Sequence, residues 1–181
     1  MKSVLISIQP KWCELIANGR KTIEVRKTMP KIETPFKCYI YCTKKFYKKG
    51  DGYFQGKYCG KVMGEFVCDR ISDMRDVEKE PTCLTTQEWR RYTDNHKGIV
   101  WGWHISELSI YDKPKDIDEF QKPCSHDCKN CKYWYSGSLI DYEPPYCEWE
   151  DYFITRPPQS WCYVEEVETI RERKMRGNDR A

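Results

Sequence analysis

Within its first 27 residues the chain changes hydrophobic period twice. Residues 4–8 form a short, mostly apolar run of strand length. Pro10 then suits the first position of a helix, Trp12, Leu15 and Ile16 fall on one helical face, and Gly19 suits the helix end. From Thr22 the period drops to two, with Ile23 and Val25 pointing one way and Thr22, Glu24 and Arg26 the other. The order strand, helix, strand is therefore set before residue 30. A glycine corner carries Arg20 and Lys21 between the last two elements.

Downstream, strands dominate. Residues 37–43 (KCYIYCT), 58–71, 99–111 and 160–170 read as strands, the second bent at Gly60 or Gly64. Residues 85–98 read as a helix capped by threonine and ended near Gly98. Residues 44–57 form a glycine-rich basic loop, and residues 113–120 a linker or turn. Several strands with few helices predict an α+β, mainly β architecture: a small closed or half-closed β-barrel flanked by a few helices. A chain of 181 residues supports one sizeable core, and two domains would be cramped. The predicted division is one domain over 1–170, including a cysteine-rich insertion at 123–158, and a charged tail at 171–181 that frays.

Charged residues make up 33% of the chain and no run of 18 apolar residues occurs, so no membrane span is expected. The N-terminal apolar stretch is too short for a signal peptide. Eleven cysteines, an odd number without an export signal, point to a reducing, cytoplasmic setting. The net charge of +3 hides an asymmetry: residues 1–61 hold 14 Lys/Arg against 4 Asp/Glu, and residues 62–181 hold 17 against 24. The basic third favours an anionic partner, RNA or a nucleotide, with a solvated lysine-rich surface as the alternative.

Residues 123–158 show no clear period, and a loop of that length inside a domain needs a staple. Cys124, Cys128 and Cys131 lie at spacings of four and three, and Cys147 follows sixteen residues later. A tight cluster with one distant cysteine suits a closed, structural zinc site, since thiolates are soft ligands. His126 is a rival fourth ligand, but it stands two residues from both Cys124 and Cys128, which strains a knuckle. Unlinked thiols or a disulfide are the alternatives. The insertion could also dock a protein partner. The remaining cysteines, Cys13, Cys38 and Cys42 among them, read as small buried hydrophobes.

The stretch GRKTIEVRK, residues 19–27, concentrates charge on one strand. Glu24 and Arg26 point the same way, about 7 Å apart by strand rise. With Lys21 they could aim one acceptor and two cations at one spot, or form an ordinary cross-strand pair worth under about 1 kcal/mol. Gly19, Lys21, Glu24 and Arg26 match in full a motif of glycine, any residue, lysine, two of any, glutamate, any residue, arginine. With the preceding SIQP strand, the helix, and the strands that follow, the chain resembles the ASCH domain, a branch of the PUA-like superfamily. The closing ITRPPQSWCYVEE resembles the end of small bacterial and phage members.

The resemblance implies a PUA-like barrel with a pocket between barrel and first helix, lined by the motif and suited to RNA or a nucleotide. Relatives include RNA-binding modules, a ribonuclease, and an amidohydrolase that removes acetyl from acetylcytidine with a lysine and a threonine three residues later. Here that threonine position is Glu24. Two readings follow. As a binding module, Lys21, Arg26 and Lys27 hold phosphate, Glu24 accepts from a base or orients Lys21, and aromatics such as Tyr41 and Trp161 stack. Trp101 and Trp103 share a strand face and read as core. Lys44, Lys45, Lys48 and Lys49 could clamp a backbone or decorate a solvated hairpin. As a hydrolase of RNA or a modified nucleoside, Lys21 and Glu24 are the catalytic candidates. A histidine-pair mechanism would need His96 and His104 to converge.

Overall fold

The computed structural model describes residues 2–45, 47–49, 52–54, 56–75, 80–93, 99–123, 134–135, 146–147 and 153–166. The apolar run at the start becomes β1 (Ser3–Ile8), with Val4, Leu5 and Ile6 wholly buried. A strand covered on both faces must be apolar throughout rather than alternate, and β1 lies between a parallel and an antiparallel neighbour. α1 (Pro10–Ala17) starts at Pro10 as the sequence indicates, and Gly19 leaves it at φ +73°, a conformation that suits glycine. Its buried line is Cys13 and Ile16, with Trp12 and Leu15 half-buried to either side. The expected face is thus rotated, because the small Cys13 seats against the carbonyl of Ile8, 3.5 Å away.

The chain continues through β2 (Ile23–Arg26), β3 (Phe36–Cys42), β4 (Tyr47–Lys49), β5 (Gly52–Phe54) and β6 (Val62–Asp73). A 3-10 turn (Glu80–Thr82) precedes α2 (Thr86–Thr93). Then come β7 (Trp101–Lys115), a second 3-10 turn (Ile117–Glu119), β8 (Phe120–Gln121), β9 (Trp134–Tyr135), β10 (Tyr146–Cys147) and β11 (Trp161–Glu166). Seven strands form one sheet in the order β2-β7-β6-β3-β1-β11-β8, and β4–β5 and β9–β10 form separate antiparallel ribbons. Thr85 caps α2, its hydroxyl accepting from the Glu88 N–H while Glu88 reaches back to the Thr85 N–H.

Of the closed or half-closed barrel expected, the closed form is not what the sheet makes. Its edge strands are β2, paired with β7, and β8, paired with β11 and bridged through Gln121 to Phe153; among the described residues no ladder joins the two edges. With four and two residues they offer little ladder to close the ring. A side chain spans part of the gap instead: Arg26 of β2 donates through Nη2 to the Ser7 carbonyl of β1 at 2.6 Å. Trp161 is the last β11 residue paired with β1, which leaves the Ser7 carbonyl for Arg26.

One face of the sheet carries Val4, Ile6, Ile8, Cys38, Ile40 and Trp103, under α1. The other face carries Leu5, Tyr39, Tyr41, Phe120 and Val164. A smaller cluster of Ile23, Val25, Met74 and Val100 packs beneath α2 with Trp89 and Tyr92. Ile23 and Val25 are 3% and 2% exposed, so the core-facing side of β2 is the one its alternation indicates. β7 extends to Lys115 and absorbs part of the stretch expected to be a linker.

Candidate functional site

The glycine corner and β2 place three charges side by side. Glu24 is 4% exposed, yet its carboxylate carries two cations: Arg26 Nη2 lies 3.2 Å from Oε1 and Lys21 Nζ 3.3 Å from Oε2. The Lys21 contact is an ion pair without hydrogen-bond alignment, for Oε2 has no hydrogen-bond partner. Lys21 Nζ instead donates to the carbonyls of Ile23 and Thr82, each at 2.7 Å. Those two carbonyls satisfy the Lys21 ammonium inside the fold, while Arg26 Nε is buried without a hydrogen-bond partner among the described residues.

Glu24 and Arg26 open onto a cleft of about 330 Å³. Its lining includes Ser7, Ile8 and Gln9 from the end of β1, Trp12 from α1, Tyr92 from α2, Thr43 and Lys45 after β3, and Pro157 to Gln159 before β11. The proline wall is fastened to β1, with the Ser7 hydroxyl donating to the Pro158 carbonyl at 2.7 Å and the Ser7 N–H to Ser160 at 2.9 Å. Burial pushes the Tyr92 phenol up, and the nearby Glu24 carboxylate pushes it further. Lys11 joins the two helices at the cleft, its ammonium 2.8 Å from Glu88 and 4.2 Å from the Trp12 ring centre. Behind the cleft, burial and a hydrogen bond to Cys42 raise the Cys13 thiol well above its usual range, and the same bond lowers that of Cys42.

Of the residues singled out in the sequence, Glu24, Arg26 and Lys45 line the cleft. Lys21 is 2% exposed and outside the lining. Gly19 and Lys27 are exposed and outside it too. Tyr41 is 2% exposed in the core of the opposite sheet face. Trp161 packs 5.9 Å from Trp103 and donates through Nε1 to Thr28 Oγ1, so its ring serves the core. Trp103 is wholly buried and Trp101 half-buried against the same core. The side chains of Lys48 and Lys49, and residues His96, His126, Cys124, Cys128 and Cys131, lie outside the described residues. Cys147 stands on β10, paired with Trp134 of β9. Among the described residues no cluster of His, Cys, Asp or Glu could hold a metal ion. The first helix was expected to wall the pocket, with Trp12 read as part of its apolar face; Tyr92 and the 157–159 wall were not legible as site residues, because nothing local in sequence ties those distant segments to β2.

His104 forms a Ser–His contact, with Nε2 2.8 Å from Ser72 Oγ and Nδ1 3.1 Å from Arg70 Nη2. Arginine can only donate, so Nδ1 accepts and the neutral ring carries its proton on Nε2. Nε2 then donates to the serine, the reverse of what a general base for Ser72 would do. Burial lowers the His104 pKa, and Arg70 lowers it further.

The family model for the ASCH domain matches residues 6–153, most of the chain. The chain belongs to the ASCH family. Its fold is similar to the crystal structure of ASCH from Zymomonas mobilis, with a TM-score of 0.57 at 17% identity, covering 97% of this chain and 94% of that one. A tyrosine-to-phenylalanine mutant of the same protein aligns with a TM-score of 0.57 at 16% identity, covering 97% and 99%. No curated protein matches this ASCH chain by sequence. Among its described residues no helix is long and apolar enough to cross a membrane.

Proposed function

We propose that this ASCH domain binds single-stranded RNA or a nucleotide in the cleft of β2, α1 and α2, with a base inside and phosphate at the rim. The observation that carries the reading is the Glu24 carboxylate and the Arg26 guanidinium side by side in one cleft whose walls include Trp12 and Tyr92. An acceptor beside a donor complements the edge of a nucleobase, and aromatic walls suit its faces. Lys45, exposed on the lining, supplies the positive charge for phosphate. Phosphate is placed at Lys45 rather than at Lys21, because Lys21 donates to two carbonyls inside the fold.

The test is anisotropy of a labelled single-stranded RNA titrated with the protein at several salt concentrations. Trp12→Ala removes a stacking wall and weakens binding by roughly 5- to 100-fold, the equivalent of about 1–3 kcal/mol per stacked base. Lys45→Ala flattens the log–log salt dependence by about 0.7 for one lost phosphate contact. Binding that neither substitution changes would remove the cleft from the mechanism. Turnover of RNA or a modified nucleoside, abolished by Glu24→Gln with binding intact, would make the domain a hydrolase instead.

A further inference from the structure

We infer that Lys21, the motif lysine, is a positioning residue that touches no ligand and sets two walls of the cleft at once; this rests on the cleft being the ligand site. The first wall is Glu24. Lys21 Nζ stands 3.3 Å from its Oε2, an oxygen that has no hydrogen bond and no access to water. Without that ammonium the carboxylate would have one cation, Arg26, and would no longer be held between two. The same Arg26 Nη2 that meets Glu24 Oε1 donates to the Ser7 carbonyl, which fixes the guanidinium, so Lys21 decides where the other carboxylate oxygen rests.

The second wall is Tyr92, reached through the chain. Lys21 Nζ donates to the Thr82 carbonyl at 2.7 Å, and the Thr22 N–H donates to Pro81 at 3.0 Å. The Cys83 thiol donates back to the Arg20 carbonyl at 3.2 Å, so residues 20–22 and 81–83 are zipped together. Thr82 is wholly buried, and its hydroxyl accepts from the Leu84 N–H, one residue before the Thr85 cap of α2. The helix that presents Tyr92 therefore starts from a turn anchored by Lys21. An ammonium with two carbonyl acceptors, a carboxylate neighbour and 2% exposure has no open side to offer a phosphate.

Two experiments decide the assignment. The native protein is treated with acetic anhydride and its lysines are mapped by mass spectrometry, with and without single-stranded RNA. Lys45 and Lys27 acetylate readily, RNA shields Lys45, and Lys21 stays unmodified in both samples. Acetylation of Lys21 in the free protein, suppressed by RNA, would place it in the cleft and overturn the inference. This labelling needs no substitution and reads the position of Lys21 even if the protein binds no RNA, an outcome that would defeat the functional reading alone.

The second experiment is a double-mutant cycle on RNA affinity and on melting temperature with Lys21→Met and Glu24→Gln. Acting through both walls, Lys21→Met weakens binding roughly tenfold in the native background and by a clearly smaller factor in the Glu24→Gln background, where the carboxylate is gone and only the Thr82 route to Tyr92 remains. Equal losses in both backgrounds would mean that Lys21 contacts RNA itself, or acts only through general stability. Rescue of affinity by Lys21→Arg without recovery of melting temperature separates those two.

Discussion

Burial holds the thiols of Cys68 and Cys162 neutral, pushing the first up to about 12 and the second to about 11. An unfolded thiol ionises near pH 9, so between pH 9 and 12 the folded chain retains protons that the unfolded chain has lost. The stabilising contribution is complete below pH 9 and is lost as pH rises through 11 and 12. The melting temperature should accordingly fall steadily above pH 9. Cys68→Ala together with Cys162→Ala should flatten that fall, read from thermal scans at pH 8 to 11. The same residue scale shows why spacing along one strand does not say which motif residue faces the cleft. Spacing put Lys21, Glu24 and Arg26 at one spot, which is where they are. Which of the three faces the cleft depends on the Thr82 carbonyl, 61 residues away.

At the scale of elements, the long pair β6 and β7 meets at three register irregularities. Gly64 sits in one of them, where a Cβ would lie 2.3 Å from the Ser109 carbonyl oxygen and 3.0 Å from the Ile110 Cα. Both are backbone atoms, which cannot swing aside as a flexible side chain would. Gly64→Ala should therefore cost about 1–3 kcal/mol, the typical penalty of overpacking, and urea unfolding measures it. An unchanged midpoint would mean that the bulge relaxes. The bend at Gly64 was legible as a glycine inside a strand pattern. The β4–β5 ribbon inside the basic loop was legible only as one of two alternatives, a hairpin, because its lysines and aromatics show no clean alternation. The rotation of α1 was not legible, because the choice between Trp12 and Cys13 for the core rests on the room beside Ile8.

At the scale of the whole molecule, the ASCH sheet takes six strands from residues 3–121 and inserts β11 between β1 and β8, and the cysteine-rich stretch lies between in sequence. We propose that Cys124, Cys128, Cys131 and Cys147 hold one structural zinc. The β9–β10 pairing supports this, since it sets Cys147 opposite Trp134, three residues after Cys131. Metal analysis of protein purified without chelator should return about one zinc per chain. Chelation should loosen the insertion while leaving the far-ultraviolet signature of the sheet, because the sheet has its own apolar cores. Cys128→Ser should lower the metal content. Full zinc binding in that variant would point to another ligand set.

The sequence by itself determined the family, the order strand–helix–strand, the buried side of β2 and the grouping of Lys21, Glu24 and Arg26. Each of these follows from local periodicity or from spacing along one strand, which the backbone geometry converts directly into direction. Tertiary structure alone decided that the sheet stays open, because closure depends on the lengths of two edge strands more than 90 residues apart. It also decided that Trp12, Tyr92 and the 157–159 wall complete the cleft, and that Lys21 turns inward to the Ile23 and Thr82 carbonyls. A side chain's partner across a gap of 60 or 130 residues is set by packing and by the need to satisfy buried charge, and neither is visible in the local pattern of the chain.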